Sequence, residues 1–459
     1  QINSMKLTSL NSASVLIEDK NIKVLCDPWL TGHEYLNSWG IYPTFQFKPK
    51  IFDDVDFIYI SHDHPDHSSD ATLSQLNKKI PTLIHNFPEK YLKIRLENLG
   101  FQVIELEHNR KTRLKDDLQI NVLAADNCDP EICGKIMGCG LLETKFGTTQ
   151  IDTMSVIDNG KEVIVNTNDC PFPISAKTAM IVKEQYKTIN LLLMGYVSAS
   201  SYPQCFDLDQ KEKQNEAYNK KQKHLALNAN YVDILKPKYV IPFAGRYTLT
   251  GKNAHLNYFR GEPELEEAYE YLTTRFPQDK HKCIIMNPNS FFDVTTGATS
   301  DVYVPIDQKK KQEYIEKVFA NVKFQYENES IPSTNDILAL LPQCYENFEK
   351  YRKKINWKSE TSILIKIKDN IVVAISINGE GFKIIKNDGI PKFEPYLMIS
   401  SDIRLLYWLL QGRVHWAIAD IGSHLRFKRV PNSYERALYW CLNRFTTDIS
   451  TGILAEISH

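Results

Sequence analysis

The sequence predicts a two-part α/β protein, in which a larger N-terminal domain of strands and helices precedes a smaller C-terminal α/β domain. Three observations carry that prediction. Short β-type runs alternate with helical stretches from Met5 to about Ser300. A Thr/Gly/Ser stretch and the basic run Lys309, Lys310, Lys311 form a seam between Thr295 and Gln312, after which a fresh hairpin and a capped helix begin. At 459 residues, 42% hydrophobic and 24% charged, the chain is long enough for two globular domains. They are placed at 5–300 and 312–459, with residues 1–4 before Met5 read as an expression-tag remnant.

In order along the chain, Ser14 to Glu18 and Ile22 to Asp27 read as a hairpin about Asp19, Lys20 and Asn21. Phe57 to Ile60 is a short buried strand, and Glu89 to Leu99 a helix stopped by Gly100. Strands follow at Val103 to Leu106 and Leu118 to Leu123, then a hairpin from Met154 to Asn166. Asp209 to Leu235 reads as one long helix, Tyr239 to Pro242 as a buried strand and Glu262 to Phe276 as a helix. The lysine run at 309–311 reads as an exposed linker. Ser362 to Lys368 and Ile371 to Ile377 form a hairpin. Ser401 and Asp402 can cap a helix ended by Gly412.

The formal net charge of -1 supplies no global field for nucleic acid or an anionic bilayer. No run approaches the roughly 20 apolar residues of a membrane span, and the expectation is a cytoplasmic protein with neither partner. The 9 cysteines lack paired zinc-knuckle spacing and fit reduced thiols. Cys128, Cys133 and Cys139 are their only cluster.

The residues that carry chemistry are Ser61-His62-Asp63-His64-Pro65-Asp66-His67, directly after the strand ending at Ile60. Three imidazoles and a carboxylate on one turn can converge on one or two divalent metals. This pattern resembles the signature of the metallo-β-lactamase superfamily, which implies an αββα sandwich for the N-terminal domain. Asp27 in Leu25-Cys26-Asp27-Pro28 then corresponds to the structural Asp beside the site, and Asp169 in Asn166-Thr167-Asn168-Asp169-Cys170 to the metal-bridging Asp. Asn166 to Cys170, Ile151-Asp152-Thr153, Pro242 to Tyr247, Ile421-Gly422 and Arg426 to Tyr434 are similar to segments of the CMP-N-acetylneuraminate hydroxylases.

That resemblance implies two departures. The hydroxylases carry a Rieske [2Fe-2S] domain ahead of the metal domain, whereas this sequence starts with the metal domain, so electrons are expected from a ferredoxin or a separate Rieske or reductase protein. The superfamily also supplies a histidine between the His/Asp turn and the bridging Asp. The matching segment here offers Asp126, Asp129 or Glu131, with Asp126 the first choice as third ligand, or as a mere loop cap. His255 is the candidate for the last superfamily ligand. Oxygen-rich coordination favours iron, with zinc or manganese as alternatives.

The expected enzyme is therefore a metalloenzyme with ligands His62, His64, Asp66, His67, Asp126, Asp169 and His255, in which Asp66 and Asp169 also act catalytically and Asp27 supports the site. The favoured activity is a di-iron monooxygenase acting on a nucleotide-sugar-like or N-acyl substrate with O2 and an external electron donor. The alternatives are a dinuclear zinc or manganese hydrolase of a phosphodiester, lactone or thioester, and a non-catalytic ligand-binding protein. Arg246 and Lys252 are candidate phosphate contacts, and Tyr196 and Tyr202 candidate pocket residues. The C-terminal domain resembles a sterol-carrier-type module, and an oligomer is left open.

Overall fold

Apolar residues recur at every second position of the first hairpin, so one face must be buried. The computed structural model describes residues 4–125 and 152–448. Its first strands are Met5–Asn11 (β1), Ser14–Asp19 (β2), Ile22–Cys26 (β3), Trp39–Gly40 (β4), Phe57–Tyr59 (β5), Thr82–His85 (β6) and Val103–Leu106 (β7). Next come Thr112–Lys115 (β8), Leu118–Ala124 (β9), Thr153–Asp158 (β10), Val163–Asn166 (β11), Leu191–Gly195 (β12), Tyr239–Phe243 (β13), Thr248–Leu249 (β14) and Phe291–Asp293 (β15). The last five are Ser359–Lys368 (β16), Ile371–Ile377 (β17), Phe382–Ile385 (β18), Tyr396–Ser400 (β19) and Arg426–Val430 (β20).

One sheet has the order β15-β1-β2-β3-β5-β6-β7 and a second the order β13-β12-β11-β10-β9-β8. Val15, Ile17, Val24 and Tyr59 of the first sheet meet Ile120, Val122, Ile164, Leu193 and Ile241 of the second in one core between the sheets. The outer face of the first sheet, with Leu25, Ile58 and Ile84, is covered by Leu73, Leu92 and Leu96. The outer face of the second, with Met154, Val165 and Leu192, is covered by Ala179, Val182 and Tyr231. Helices thus flank two packed sheets, the expected αββα arrangement. Each sheet mixes parallel and antiparallel pairs, with β3, β5, β6 and β7 parallel in the first and β11, β12 and β13 parallel in the second.

A third sheet, β18-β17-β16-β19-β20, lies in the C-terminal part. Its inner residues Ile363, Ile365, Val373 and Leu397 pack on Leu341, Phe348, Leu405 and Leu409. The same core reaches back to Trp29, Trp39, Tyr247 and Leu249 of the N-terminal part. The helix Thr334–Lys354, opened by a capping box at Ser333, was not foreseen.

Two expectations are corrected. The stretch from Asp209 to Leu235 is two helices, Gln210–Asn228 and Asn230–Leu235. Asn228 Nδ2 donates to the Gly195 carbonyl (2.6 Å) and Asn230 Nδ2 to the carbonyls of Ala226 and Leu227 (3.2 and 3.0 Å), amide bonds that compete with an unbroken helix. Lys309 and Lys310 are exposed as expected, but the run 309–311 is helical rather than a linker and Lys311 is buried. They lie in the helix Gln308–Lys317, capped by Asp307, and its inner face buries Lys311 and Ile315 one turn apart. No helix among the described residues is long and apolar enough to cross a membrane.

Candidate metal centre

Because β3 and β5 are parallel neighbours, the chain leaves both at the same edge of the sheet. Asp27 follows one strand and Ser61 to His67 the other. Asp27, at φ 45 and fully buried, takes a left-handed backbone that costs a non-glycine residue about 1–2 kcal/mol. Its carboxylate accepts from Ser61 N (2.7 Å) and Ser61 Oγ (2.5 Å), which ties the two strand ends together. From the second sheet, the turn after β11 passes through Asn168, also left-handed at φ 48. Asn168 Nδ2 donates to the Thr153 carbonyl (2.6 Å) and Asp169 N to Asp152 Oδ2 (2.9 Å). That turn delivers Asp169 across the sandwich to the histidines.

His67 Nε2 is 2.9 Å from Asp169 Oδ2 and 3.3 Å from Asp66 Oδ2. His62 Nε2 is 3.0 Å from His64 Nδ1 and 3.9 Å from Asp169 Oδ2. Three groups of potential ligands result among the described residues, the fully buried Asp27–His62–His67 and the two that share Asp169, His62–His64–Asp169 and Asp66–His67–Asp169. The far ring nitrogens are held from behind. His67 Nδ1 faces Asp27 Oδ2 at 2.6 Å, and His62 Nδ1 faces Ser61 Oγ at 2.8 Å and Asp152 Oδ1 at 3.1 Å. Such outer carboxylates fix ring orientation and keep the inner nitrogen as the donor to a cation.

The donor set fits divalent metal. Burial, followed by the neighbouring imidazoles, lowers His62 and His64 to about 4, so both rings are neutral and offer lone pairs at physiological pH. Two nitrogens each about 2.0–2.1 Å from one tetrahedral ion stand about 3.3 Å apart, close to the 3.0 Å between His62 and His64. Burial opposes a charge on His67, yet Asp169, Asp66 and Asp27 together push it well above its usual range. Burial also works against ionisation of Asp66, and His67, His64 and His62 overcome it to hold the carboxyl well below its usual range. The acids demand positive charge at this point. His62 and His67 are each 1% exposed whereas Asp169 is 35% exposed.

The remaining expected site residues that fall among the described ones join neither of the groups that share Asp169. His255 is exposed on the 3-10 helix Gly251–Phe259 and joins neither ligand group. Lys252 Nζ pairs with Glu327 (2.8 Å) and Asp402 (3.8 Å). Tyr202 accepts from Asn432 Nδ2 (3.2 Å), with Arg429 over its ring. Tyr196 and Arg246 line a cavity of about 40 Å³ with Ser12, Phe243 and Leu265. Asp126, Asp129, Glu131 and the cysteines 128, 133 and 139 lie outside the described residues.

Sequence reasoning missed the supporting cast. Asp152, which burial pushes up to about 7, was noticed only as part of a resemblance. The Tyr35 hydroxyl donates to Asp66 Oδ1 at 3.0 Å. Glu34, pushed up to about 8 by burial, accepts from Ser69 Oγ at 2.6 Å. His415, the cap of the helix Trp416–Ile421, is lowered to about 3 by burial, then by Arg444 and His64, which puts a C-terminal imidazole within electrostatic reach of the cluster. No local pattern links positions 35, 152 and 415 to a motif at 62–67.

Comparison with known proteins adds an independent line. Residues 6–126 match the model of the beta-lactamase superfamily domain. A protein of Mycolicibacterium smegmatis named for a Rieske 2Fe-2S iron-sulfur centre is 25% identical over 335 residues, covering 70% of this chain and 58% of its own. The cytidine monophosphate-N-acetylneuraminic acid hydroxylase of Danio rerio is 26% identical over 263 residues, covering 54% of this chain and 39% of its own. This chain therefore spans less than two thirds of the length of either relative. Among solved structures, the metallo hydrolase Igni18 of Ignicoccus hospitalis aligns with a TM-score of 0.40 at 14% identity, over 65% of this chain and 100% of its own.

Proposed function

Because the N-terminal part of this chain is a metallo-β-lactamase-fold domain, we propose that it is a metal-dependent oxygenase that hydroxylates a nucleotide-sugar-like or N-acyl substrate. The observation that carries the reading is the pair of ligand groups sharing Asp169. His62, His64 and Asp169 would hold one metal, and Asp66, His67 and Asp169 the other. Similarity to a hydroxylase and to a protein named for a Rieske centre favours two irons, supplied with electrons by a Rieske-type or ferredoxin donor. Iron in such a site supplies reductive activation of O2. In the net reaction one oxygen atom enters a substrate C–H bond, and the other leaves as water with two electrons and two protons from the donor.

The chain's own residues prepare that chemistry. Asp27 accepts a hydrogen bond from His67 Nδ1, and Ser61 Oγ and Asp152 Oδ1 lie against His62 Nδ1, which leaves both Nε2 atoms as donors to metal. Tyr35 occupies Asp66 Oδ1 and so turns Oδ2 towards the cluster. The buried rings of His62 and His67 shield the cluster from water, whereas His64 and Asp169 are partly exposed. Arg246 and Tyr196, on the loops after β13 and β12, are the proposed substrate contacts from the neighbouring strand ends. A second reading, a dinuclear zinc or manganese hydrolase, is favoured by one feature, the three imidazoles among five ligands.

Metal counting on anaerobically purified protein, with optical spectra before and after O2, separates the two. Two irons per chain and an oxygen-sensitive spectrum are expected. Tightly held zinc, inert to O2, would transfer the assignment to the hydrolase, and metal below one equivalent after reconstitution would overturn both.

A further inference from the structure

The loop that carries Tyr35 is held in an unfavourable backbone conformation by residues of the C-terminal part. Tyr35, Leu36 and Asn37 stand in succession at φ 53, 60 and 73. None is glycine, and such a run persists only where its surroundings over-determine it. Much of what surrounds it is C-terminal. His424 Nε2 faces the Tyr35 carbonyl at 2.7 Å, Asn37 Nδ2 donates to the Lys323 carbonyl at 3.2 Å, and Gln325 N to the Leu36 carbonyl at 3.3 Å. The Ser38 hydroxyl is shared between the carbonyls of Tyr35 (2.8 Å) and Gly422 (2.7 Å).

His424 is itself fixed. It is 5% exposed, packs edge-on against Phe324 and Tyr326, and its Nδ1 is 2.9 Å from the Tyr326 hydroxyl. A carbonyl can only accept, so Nε2 carries the proton and Nδ1 accepts from Tyr326. Gly422 leaves the room this contact needs, since a β-carbon there would stand 3.0 Å from Tyr35 Cβ. The path is continuous over buried groups, from Tyr326 through His424 and the Tyr35 backbone to the Tyr35 hydroxyl and Asp66 Oδ1.

We propose that His424 is a positioning residue for the metal position formed by Asp66, His67 and Asp169, acting through Tyr35. The C-terminal part thereby sets the affinity of one metal position and not of the other, because nothing in this path touches His62 or His64. The proposal rests on the reading of Asp66 as a ligand.

The test uses the full chain stripped of metal and titrated anaerobically with Co(II), following the visible bands of each position. Wild type is expected to take up two equivalents, and Asp66→Ala one. Tyr35→Phe and His424→Ala should each weaken the second equivalent by about 10–100-fold, the range for outer-shell partners, with the first unchanged. His424→Gln, which keeps an N–H donor, should recover most of the loss, a rescue that a purely structural role would not show. If Tyr35→Phe and His424→Ala bind both equivalents like wild type while Asp66→Ala loses one, the positioning role is overturned. If Asp66→Ala also retains two, the ligand reading itself fails. Should His424→Ala not fold, as judged by circular dichroism, Tyr35→Phe decides the question, because it leaves the C-terminal contacts in place.

Discussion

Two buried polar groups lie near strand ends of the sandwich, and they balance charge in opposite ways. Beside the loops that follow β12 and β13, Lys220 Nζ lies 3.4 Å from Glu262, Arg260 Nε 3.9 Å from the same carboxylate, and Lys311 Nζ 3.3 Å from Glu264. Tyr247 donates to Glu262 at 3.0 Å and stacks on Trp39. Cations and anions there come from the protein itself. At the ends of β3, β5 and β11 the carboxylates of Asp27, Asp66, Asp152 and Asp169 have imidazoles as their only basic partners among the described residues. The difference teaches that burial of charge does not mark a site by itself. An excess of acceptors around lone-pair donors does.

The strongest way to break this contrast is to remove the shared carboxylate. Asp169→Ala is expected to abolish stoichiometric metal binding at both positions, measured by elemental analysis after reconstitution, while the unfolding midpoint of the metal-free protein changes little. Retention of even one full equivalent would separate the two groups and deny that Asp169 bridges them. The other cluster should behave in reverse. Glu262→Gln strands Lys220 and Arg260 in a buried setting, since Glu262 is 1% exposed, and removing one partner of a buried pair costs about 3–5 kcal/mol. Chemical denaturation should show that loss with metal content unchanged. A loss under 1 kcal/mol would mean that water already compensates the cluster.

The two regions also differed in how far the sequence exposed them. Ser61 to His67 was legible because ligand spacing on one turn is a local property, and the strand before it was apolar. Asp27 and Asp169 needed the order of strands, which a resemblance supplied. Asp152, Tyr35 and His424 became visible only when β5, β10 and the C-terminal segment met, contacts spanning up to 389 residues. The lysines at 309–311 misled for a related reason. Their composition suggests solvent, but Asp307 caps a helix there and Lys311 finds Glu264 from a distant element. Local pattern gives strands, caps and hairpins, whereas charge compensation is decided by tertiary neighbours.

Titration offers a finer test. His224, one turn after Lys220 on the helix Gln210–Asn228, is lowered to about 4 by burial and then by Lys220. A base whose folded pKa lies below its unfolded value takes up its proton on unfolding. Stability is therefore lost as pH falls from about 6.5 towards 4 and is intact above that window. The shift bounds the effect at about 3 kcal/mol. In metal-free protein, His224→Gln should flatten the dependence between pH 6.5 and 4 relative to wild type, read by urea unfolding at several pH values. Parallel curves for the two proteins would show that His224 titrates normally and that its environment is wetter than the packing suggests.

The smallest expected effect tests whether the carboxylates behind the histidines do what the contrast assigns them. Asp27→Asn keeps the shape of the side chain and its contacts with Ser61, but replaces the acceptor facing His67 Nδ1 with an amide that presents either an oxygen or an N–H. With the charge gone, His67 loses one of three carboxylates that raise its proton affinity and becomes a weaker electron-pair donor through Nε2. Metal affinity at the Asp66–His67–Asp169 position should fall about 10–100-fold, equivalent to about 1.4–2.7 kcal/mol. The His62–His64 position, whose outer partner is Asp152, should be unaffected. Competition against a chelator resolves the two positions. If both weaken together, Asp27 acts by holding β3 to β5 through Ser61, and its contribution is to the scaffold rather than to the basicity of His67.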